Sequence, residues 1–187
     1  LGDDSQLQDL AKKLRPHYQI GLLSWFKGEK PQAGLKRMLA VLVELDKNTQ
    51  SEGLKRYWQV SYTLTEAIAR EGLGVSVSNK QLLGRIDRLL KRVIDQGEKE
   101  VAKDLGTDLL KNLLYYVGRS KPVSDNVKQL QEQFKLDDLM LDEEALEEAR
   151  SSLAAPNMDL MQAVSSGLHD DLTVIKDAVE LYVQNGQ

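Results

Sequence analysis

An all-α fold, a helical bundle of about eight helices, is predicted by three features of this 187-residue chain. Leucine supplies 32 residues against two Phe and two Trp. That balance suits packed helices better than a β-sandwich, which would use more Val, Ile, Thr and aromatics. Apolar positions recur at threes and fours almost throughout, and no alternation of period two outlasts a few residues. Gly28, Gly72, Gly97 and Gly118 stand where the periodic stretches end. The length fits a single helical domain over 1–187, with Gly118 and Pro122 marking the place, near 119–123, where it could subdivide. The chain does not open on Met, and an excerpt of a longer protein is expected.

The first helix is expected over Ser5–Lys27, opened by Ser5, stopped by Gly28 and interrupted or kinked at Pro16, which has no N–H to donate. Pro31 suits the first turn of a second helix that runs to about Asp46 through Leu35, Met38, Leu39, Leu42 and Leu45. After a polar turn at 48–51, a third helix extends from about Ser51 to Glu71. Leu73–Val77 is β-prone and too brief for a sheet. A fourth helix starts at Ser78 or Asn79 and ends near Gln96, with Leu82, Leu83, Ile86, Leu89, Leu90 and Val93 on one face. Thr107 opens the fifth, which Gly118 and Pro122 stop. Shorter helices follow over Val123–Phe134 and Asp142–Leu153. After Pro156 a long apolar seam from Met161 to Tyr182 marks the last.

Composition excludes several chemistries. The chain has no cysteine, so disulfides, thiolate metal sites and thiol catalysis are out, and two histidines cannot build a multi-histidine metal centre. Gly72-Leu73-Gly74 is not a phosphate loop, since no strand precedes it, and no Gly-x-Ser-x-Gly elbow occurs. No cofactor and no enzymatic activity are expected of this segment. Net charge is −4, against binding to nucleic acid. No apolar run approaches the roughly 20 residues that span a bilayer. Leu1–Leu10 lacks the basic start of a signal peptide, so a cytoplasmic location without membrane insertion is expected.

The charge is uneven: residues 1–100 carry 17 basic and 13 acidic side chains, residues 101–187 carry 8 and 16. Two surfaces follow. Arg85, Arg88 and Arg92, with Lys80 and Lys91, form a cationic face on the fourth helix. Asp142, Glu143 and Glu147 lie in an acidic stretch over Asp137–Glu148. Each could meet a partner of opposite charge. Each also has an ordinary reading, as a solvated helix face and as acids favoured at a helix N-terminus. His169, beside Asp170 and Asp171, reads as a surface histidine, a weak metal contact or a phosphoacceptor. His17 reads as a packed or capping histidine, or as a phosphoacceptor. Trp25, Tyr57, Trp58 and Tyr62 at helical spacing read as core, or as the lining of a small-molecule site.

Phosphotransfer bundles carry an exposed histidine in a His-x-x-Lys-Gly-(Ser or Ala) pattern. The lysine offsets phosphate charge, and the small residues clear space for a receiver domain. His17-Tyr18-Gln19-Ile20-Gly21-Leu22 keeps the glycine and lacks the lysine. His169-Asp170-Asp171-Leu172-Thr173 has neither. Longer segments carry a closer likeness: Arg15–Trp25, Leu82–Lys91 and Lys111–Val117. They resemble the N-terminal phosphotransfer-like region of the CheA-like hybrid histidine kinases of type IV pilus chemosensory systems (ChpA or PilL type), and are similar to the related FimL-type regulators. The resemblance implies up-and-down, phosphotransfer-like packing and a degenerate, non-catalytic module that acts as scaffold or regulatory interaction domain in control of twitching motility. Its implied partners are other domains of the parent kinase, itself ATP-dependent, or pilus and chemosensory proteins, with recruitment to the cell pole. An active phosphotransfer domain using His169 or His17 is the alternative.

Overall fold

The computed structural model describes residues 5–133, which form seven helices and no strand. These are α1 (Ser5–Lys27), α2 (Pro31–Asn48), α3 (Glu52–Ala69), α4 (Val77–Gln96), α5 (Glu98–Lys103), α6 (Asp108–Arg119) and α7 (Asp125–Gln133). Two compact units divide the chain, Leu1–Ala154 and Ala155–Gln187, and every described residue belongs to the first. The helices expected over Asp142–Leu153 and in the last seam lie outside the described residues.

Local chemistry accounts for most boundaries. Pro16 does not end α1: the helix passes through it unbroken. The lost backbone bond is outweighed by a buried stripe of Leu7, Ala11, Tyr18, Leu22 and Trp25 that holds both halves against the core. Gly28 takes a positive φ of 69° and returns its N–H to the Trp25 carbonyl at 3.2 Å. Ser51 caps α3 by accepting from the Leu54 N–H at 3.4 Å, and Ser76 caps α4 by accepting from Asn79 N–H at 3.2 Å. The cap at Ser76 starts α4 earlier than expected, so Val77 is helical and the β-prone patch forms no strand.

Sequence periodicity suggested six helices in this range, and α5 is the one it missed. Six residues with Val101 as the only buried apolar side chain carry no detectable period. What holds α5 is tertiary. The Glu98 carboxylate accepts from the backbone N–H groups of Gln50 and Ser51, both at 2.7 Å, and so ties the α4–α5 joint to the α2–α3 turn.

Short turns make α1, α2 and α3 an up-and-down series, and α4 returns to the free side of α1. Contacts from Gln8 to the Ile94 carbonyl (3.0 Å), from Arg15 to Asp87 (3.1 Å) and from Tyr18 to the Leu83 carbonyl (2.8 Å) show α1 and α4 running antiparallel. α6 lies against both α3 and α4, and α7 against α3 and α6. The core is mostly aliphatic, with Leu42, Leu54, Leu64, Leu82, Leu83 and Val93 buried along with Trp58.

Candidate functional site

The sequence offered two histidines, a basic face, an acidic stretch and an aromatic group. His169, Asp142, Glu143 and Glu147 lie outside the described residues. His17 is exposed on α1, neither packed nor acting as a cap. The residues after it depart from the phosphotransfer pattern. Ile20, where a lysine would offset charge, is half-buried. Gly21, where the pattern leaves room for a docking receiver, is pressed against α2. A Cβ built there would lie 2.5 Å from the Gly34 carbonyl oxygen and 2.8 Å from Met38 Cγ. The surface of α1 at Gly21 is thus covered by the protein's own second helix.

The basic face on α4 divides into two kinds of residue. Arg88 and Lys91 are exposed. Arg85 is half-buried near Asp108, Tyr57 and Arg88, and burial lowers its affinity for the proton while Asp108 and Tyr57 oppose that shift. Arg92 is half-buried and donates to the Asp104 carbonyl at 2.9 Å, and Lys80 sits 5.7 Å from the Phe26 ring centroid. Arg85, Arg92 and Lys80 are therefore partly enclosed by the fold, and Arg88 and Lys91 are not.

A polar cluster links α1 to α4 at their inner seam. Asp87, 2% exposed, accepts two bonds from Arg15, both 3.1 Å, and a third from Gln19 at 3.3 Å. One helical turn away Tyr18 is fully buried. Burial, helped by the Asp87 carboxylate, raises its phenol well above the usual value near 10. Tyr57 is raised as well, chiefly by burial, and donates to the Gly106 carbonyl at 2.6 Å. A phenol whose folded pKa is raised contributes stability that is complete below the unfolded pKa and is lost as pH climbs past it. The urea midpoint should stay level up to about pH 9 and fall above about pH 10. Tyr18→Phe should flatten part of that fall, while starting lower for want of the Leu83 bond.

Of the aromatic group, Trp25, Tyr57 and Trp58 are core. Trp58 and the half-buried Tyr62 border a surface groove of about 430 Å³ between α2, α3 and α7. Its apolar wall includes Leu42, Val43 and Leu130, and its rim Asp46, Gln59 and Gln129. Asp46 there already pairs with Lys55 at 3.6 Å and accepts from Gln59 at 3.1 Å. α7 is fastened beside the groove by Glu66, a buried carboxylate that accepts from the Ser124 hydroxyl and, at 3.5 Å, from Asn126. Among the described residues no group of three or more His, Asp or Glu could hold a metal ion, and no helix is long and apolar enough to cross a membrane.

The family model of the FimL scaffold protein second domain matches residues 3–147. The chain belongs to this family. It is 29% identical over 181 residues to the scaffold protein FimL of Pseudomonas aeruginosa, covering 97% of this chain and 32% of that protein. This FimL-type segment thus spans about a third of the length of the curated relative. No solved structure matches the chain. The likeness to FimL expected from Arg15–Trp25, Leu82–Lys91 and Lys111–Val117 has a spatial counterpart. The first two segments face each other across the α1–α4 seam, joined by Arg15–Asp87, Gln19–Asp87 and Tyr18–Leu83, and the third is the body of α6.

Proposed function

We propose that this FimL-type segment is a non-catalytic, degenerate phosphotransfer-like module that serves as a protein-binding scaffold. The observation that carries the reading is the packing of Gly21 on Gly34 beside an exposed His17 without its lysine. A histidine in that setting has neither the charge partner nor the clearance that phosphoryl exchange with a receiver requires. Membership of a scaffold family supports the same reading. Control of twitching motility in a type IV pilus chemosensory system is its setting, in the cytoplasm and at the cell pole. Its partners are pilus or chemosensory proteins, or domains of a CheA-like kinase if the parent is that kinase.

Radiolabel transfer from ATP tests this, using a CheA-type kinase core of the same system and the full-length protein, with His17→Gln and His169→Gln controls. No acid-labile label is expected on the segment while a working phosphotransfer domain in the same tube is labelled. Label that disappears with either substitution would make the segment an active phosphotransfer domain and overturn the proposal.

The docking surface suggested by the sequence, Arg85, Arg88 and Arg92, needs different probes at each position. Arg88→Glu with Lys91→Glu should weaken capture of pilus-system partners with little change in the urea midpoint, because both side chains are exposed. Arg85→Glu should cost about 2 kcal/mol of stability by itself, since it places a carboxylate in a half-buried site near Asp108. A binding defect confined to Arg85→Glu would indicate damage to the fold rather than lost docking.

A further inference from the structure

Charge is divided between two parts of this chain. Residues 1–133 carry 22 basic and 17 acidic side chains, whereas residues 134–187 carry 3 and 12. The densest part of the basic excess is α4. Lys80, Arg85, Arg88, Lys91 and Arg92 are exposed or half-buried there, against one exposed acid, Asp95. The other acid of this helix, Asp87, is buried and bound to Arg15 and Gln19. Asp104 and Asp108 border the face from the chain beyond α5, where the exposed Lys103 and Lys111 accompany them. Among the described residues no carboxylate lies within ion-pair distance of Arg85, Arg88, Lys91 or Arg92.

Two of these guanidinium groups are already held in place. Arg85 is half-buried near Tyr57, and Arg92 donates to the Asp104 carbonyl at 2.9 Å, a neutral acceptor that leaves its charge uncancelled. An anion docking there meets side chains that have already lost part of their rotamer freedom. Arg85, Arg88 and Arg92 stand at i, i+3 and i+7, a row of about 10 Å along α4.

The complementary charge belongs to the same domain. Residues 137–148 hold seven acidic side chains and no basic one, and lie outside the described residues. The family match to residue 147 and the compact unit Leu1–Ala154 each include the cationic row and Asp142, Glu143 and Glu147. Chain length permits the contact. α7 ends at Gln133 and packs on α6, which packs on α4. Two helix spacings amount to about 20 Å, and the roughly 10 residues from Gln133 to Glu143 can reach about 33 Å.

We propose that residues 137–148 cover the cationic row of α4 in cis. The basic face and the acidic stretch are then two halves of one contact. A partner reaches Arg88 and Lys91 by displacing the acids, a consequence that rests on the scaffold reading. Tethering favours these acids over those of a separate protein, because a linked segment acts at an effective concentration on the order of 1 mM. A contact with a dissociation constant of about 0.1 mM would keep the face about nine-tenths covered, weakening any competing anion about tenfold.

The experiment is zero-length carbodiimide crosslinking of the full-length protein at low ionic strength, with the monomer isolated and its linked peptides mapped by mass spectrometry. Lys91 should join a carboxylate within 137–148, and Lys36, exposed on α2, should not. Arg88→Glu should reduce the link by on the order of tenfold with unchanged melting. Adding Glu143→Arg and Glu147→Arg should restore it through the acids that remain. A fluorescent hexaglutamate peptide gives a second readout. Asp142→Asn, Glu143→Gln and Glu147→Gln together should tighten its binding by on the order of tenfold, and Arg88→Glu with Lys91→Glu should remove that gain. Links from Lys91 only to Asp95 or Asp104, equal links from Lys36, links only to another copy or another protein, or no gain in peptide binding would each overturn the proposal. The scaffold reading survives such a failure if Arg88→Glu with Lys91→Glu still weakens capture of pilus-system partners. Phosphoryl label on His17 or His169 would sink that reading while leaving the crosslink intact.

Discussion

Gly21→Ala and Gly34→Ala are each expected to lower the free energy of unfolding by about 2–3 kcal/mol. The two glycines face each other where α1 crosses α2. A Cβ on Gly34 would lie 2.5 Å from the Gly21 carbonyl oxygen and 2.8 Å from Ser24 Cβ, and one on Gly21 meets the Gly34 carbonyl at the same 2.5 Å. The obstacle in both directions is backbone of the facing helix, which cannot swing aside as a side chain can. Relief requires the two helices to separate, loosening Leu22, Trp25, Leu35 and Met38 together. The double variant should cost less than the sum of the singles, because helices already spread by one methyl accept the second. Gly74→Ala is the control: nothing lies within 4 Å of its Cβ, and its effect should be within about 0.5 kcal/mol of zero. Urea unfolding of all four proteins with unchanged m-values checks this. A loss at Gly21 no larger than at Gly74 would mean that the α1–α2 contact is looser than described.

Asp87→Ala should cost about 3–5 kcal/mol, the largest single effect expected in the described residues. The carboxylate is 2% exposed and carries both bonds from Arg15 together with the one from Gln19. Removing it leaves Arg15, only 18% exposed, with its charge next to apolar packing and without its principal partner. Asp87→Asn should cost less, because it keeps the shape and one acceptor. The informative variant is the double replacement Arg15→Met with Asp87→Leu. If the ion pair serves mainly to set the register of α1 on α4, this double variant should recover most of the stability lost by Asp87→Ala, since apolar pairs of similar size replace buried ion pairs at little cost. Such recovery would separate the energetic role of the cluster from its role in alignment, and partner capture by the recovered protein would then report whether that alignment matters for docking.

Much of the helical layout was legible because its signals are local. Pro31 at a first turn, Ser51 as a cap, Gly28 and Gly97 as stops and the stripe from Leu82 to Val93 each act within a few residues of themselves. The errors share one cause, which is that distant contacts decided them. Pro16 was expected to interrupt or kink α1; it does not interrupt it, and buried side chains on both sides of it carry the helix through. α5 had no pattern of its own and exists through the hold of Glu98 on the α2–α3 turn. The basic face of α4 looked uniform in sequence, yet Arg85 is half-buried, Arg92 donates to the Asp104 carbonyl and Lys80 lies by the Phe26 ring. Asp87 was inconspicuous for the same reason. One aspartate in a charged helix becomes a buried junction only when Arg15, 72 positions earlier, is brought against it.

The sequence by itself determined the helical class, most of the helix boundaries and the likeness to FimL, because periodicity, caps and segment identity are all carried by neighbouring residues. Only the tertiary structure decided that Gly21 closes against Gly34 instead of standing open beside His17. It also decided that Arg88 and Lys91 remain at the surface while Arg85 does not, and that Val75 and Val77 are exposed. The physical reason is that burial and clearance belong to pairs of elements: a side chain's neighbours across a helix seam lie tens of residues away, and no local pattern records which of them will arrive.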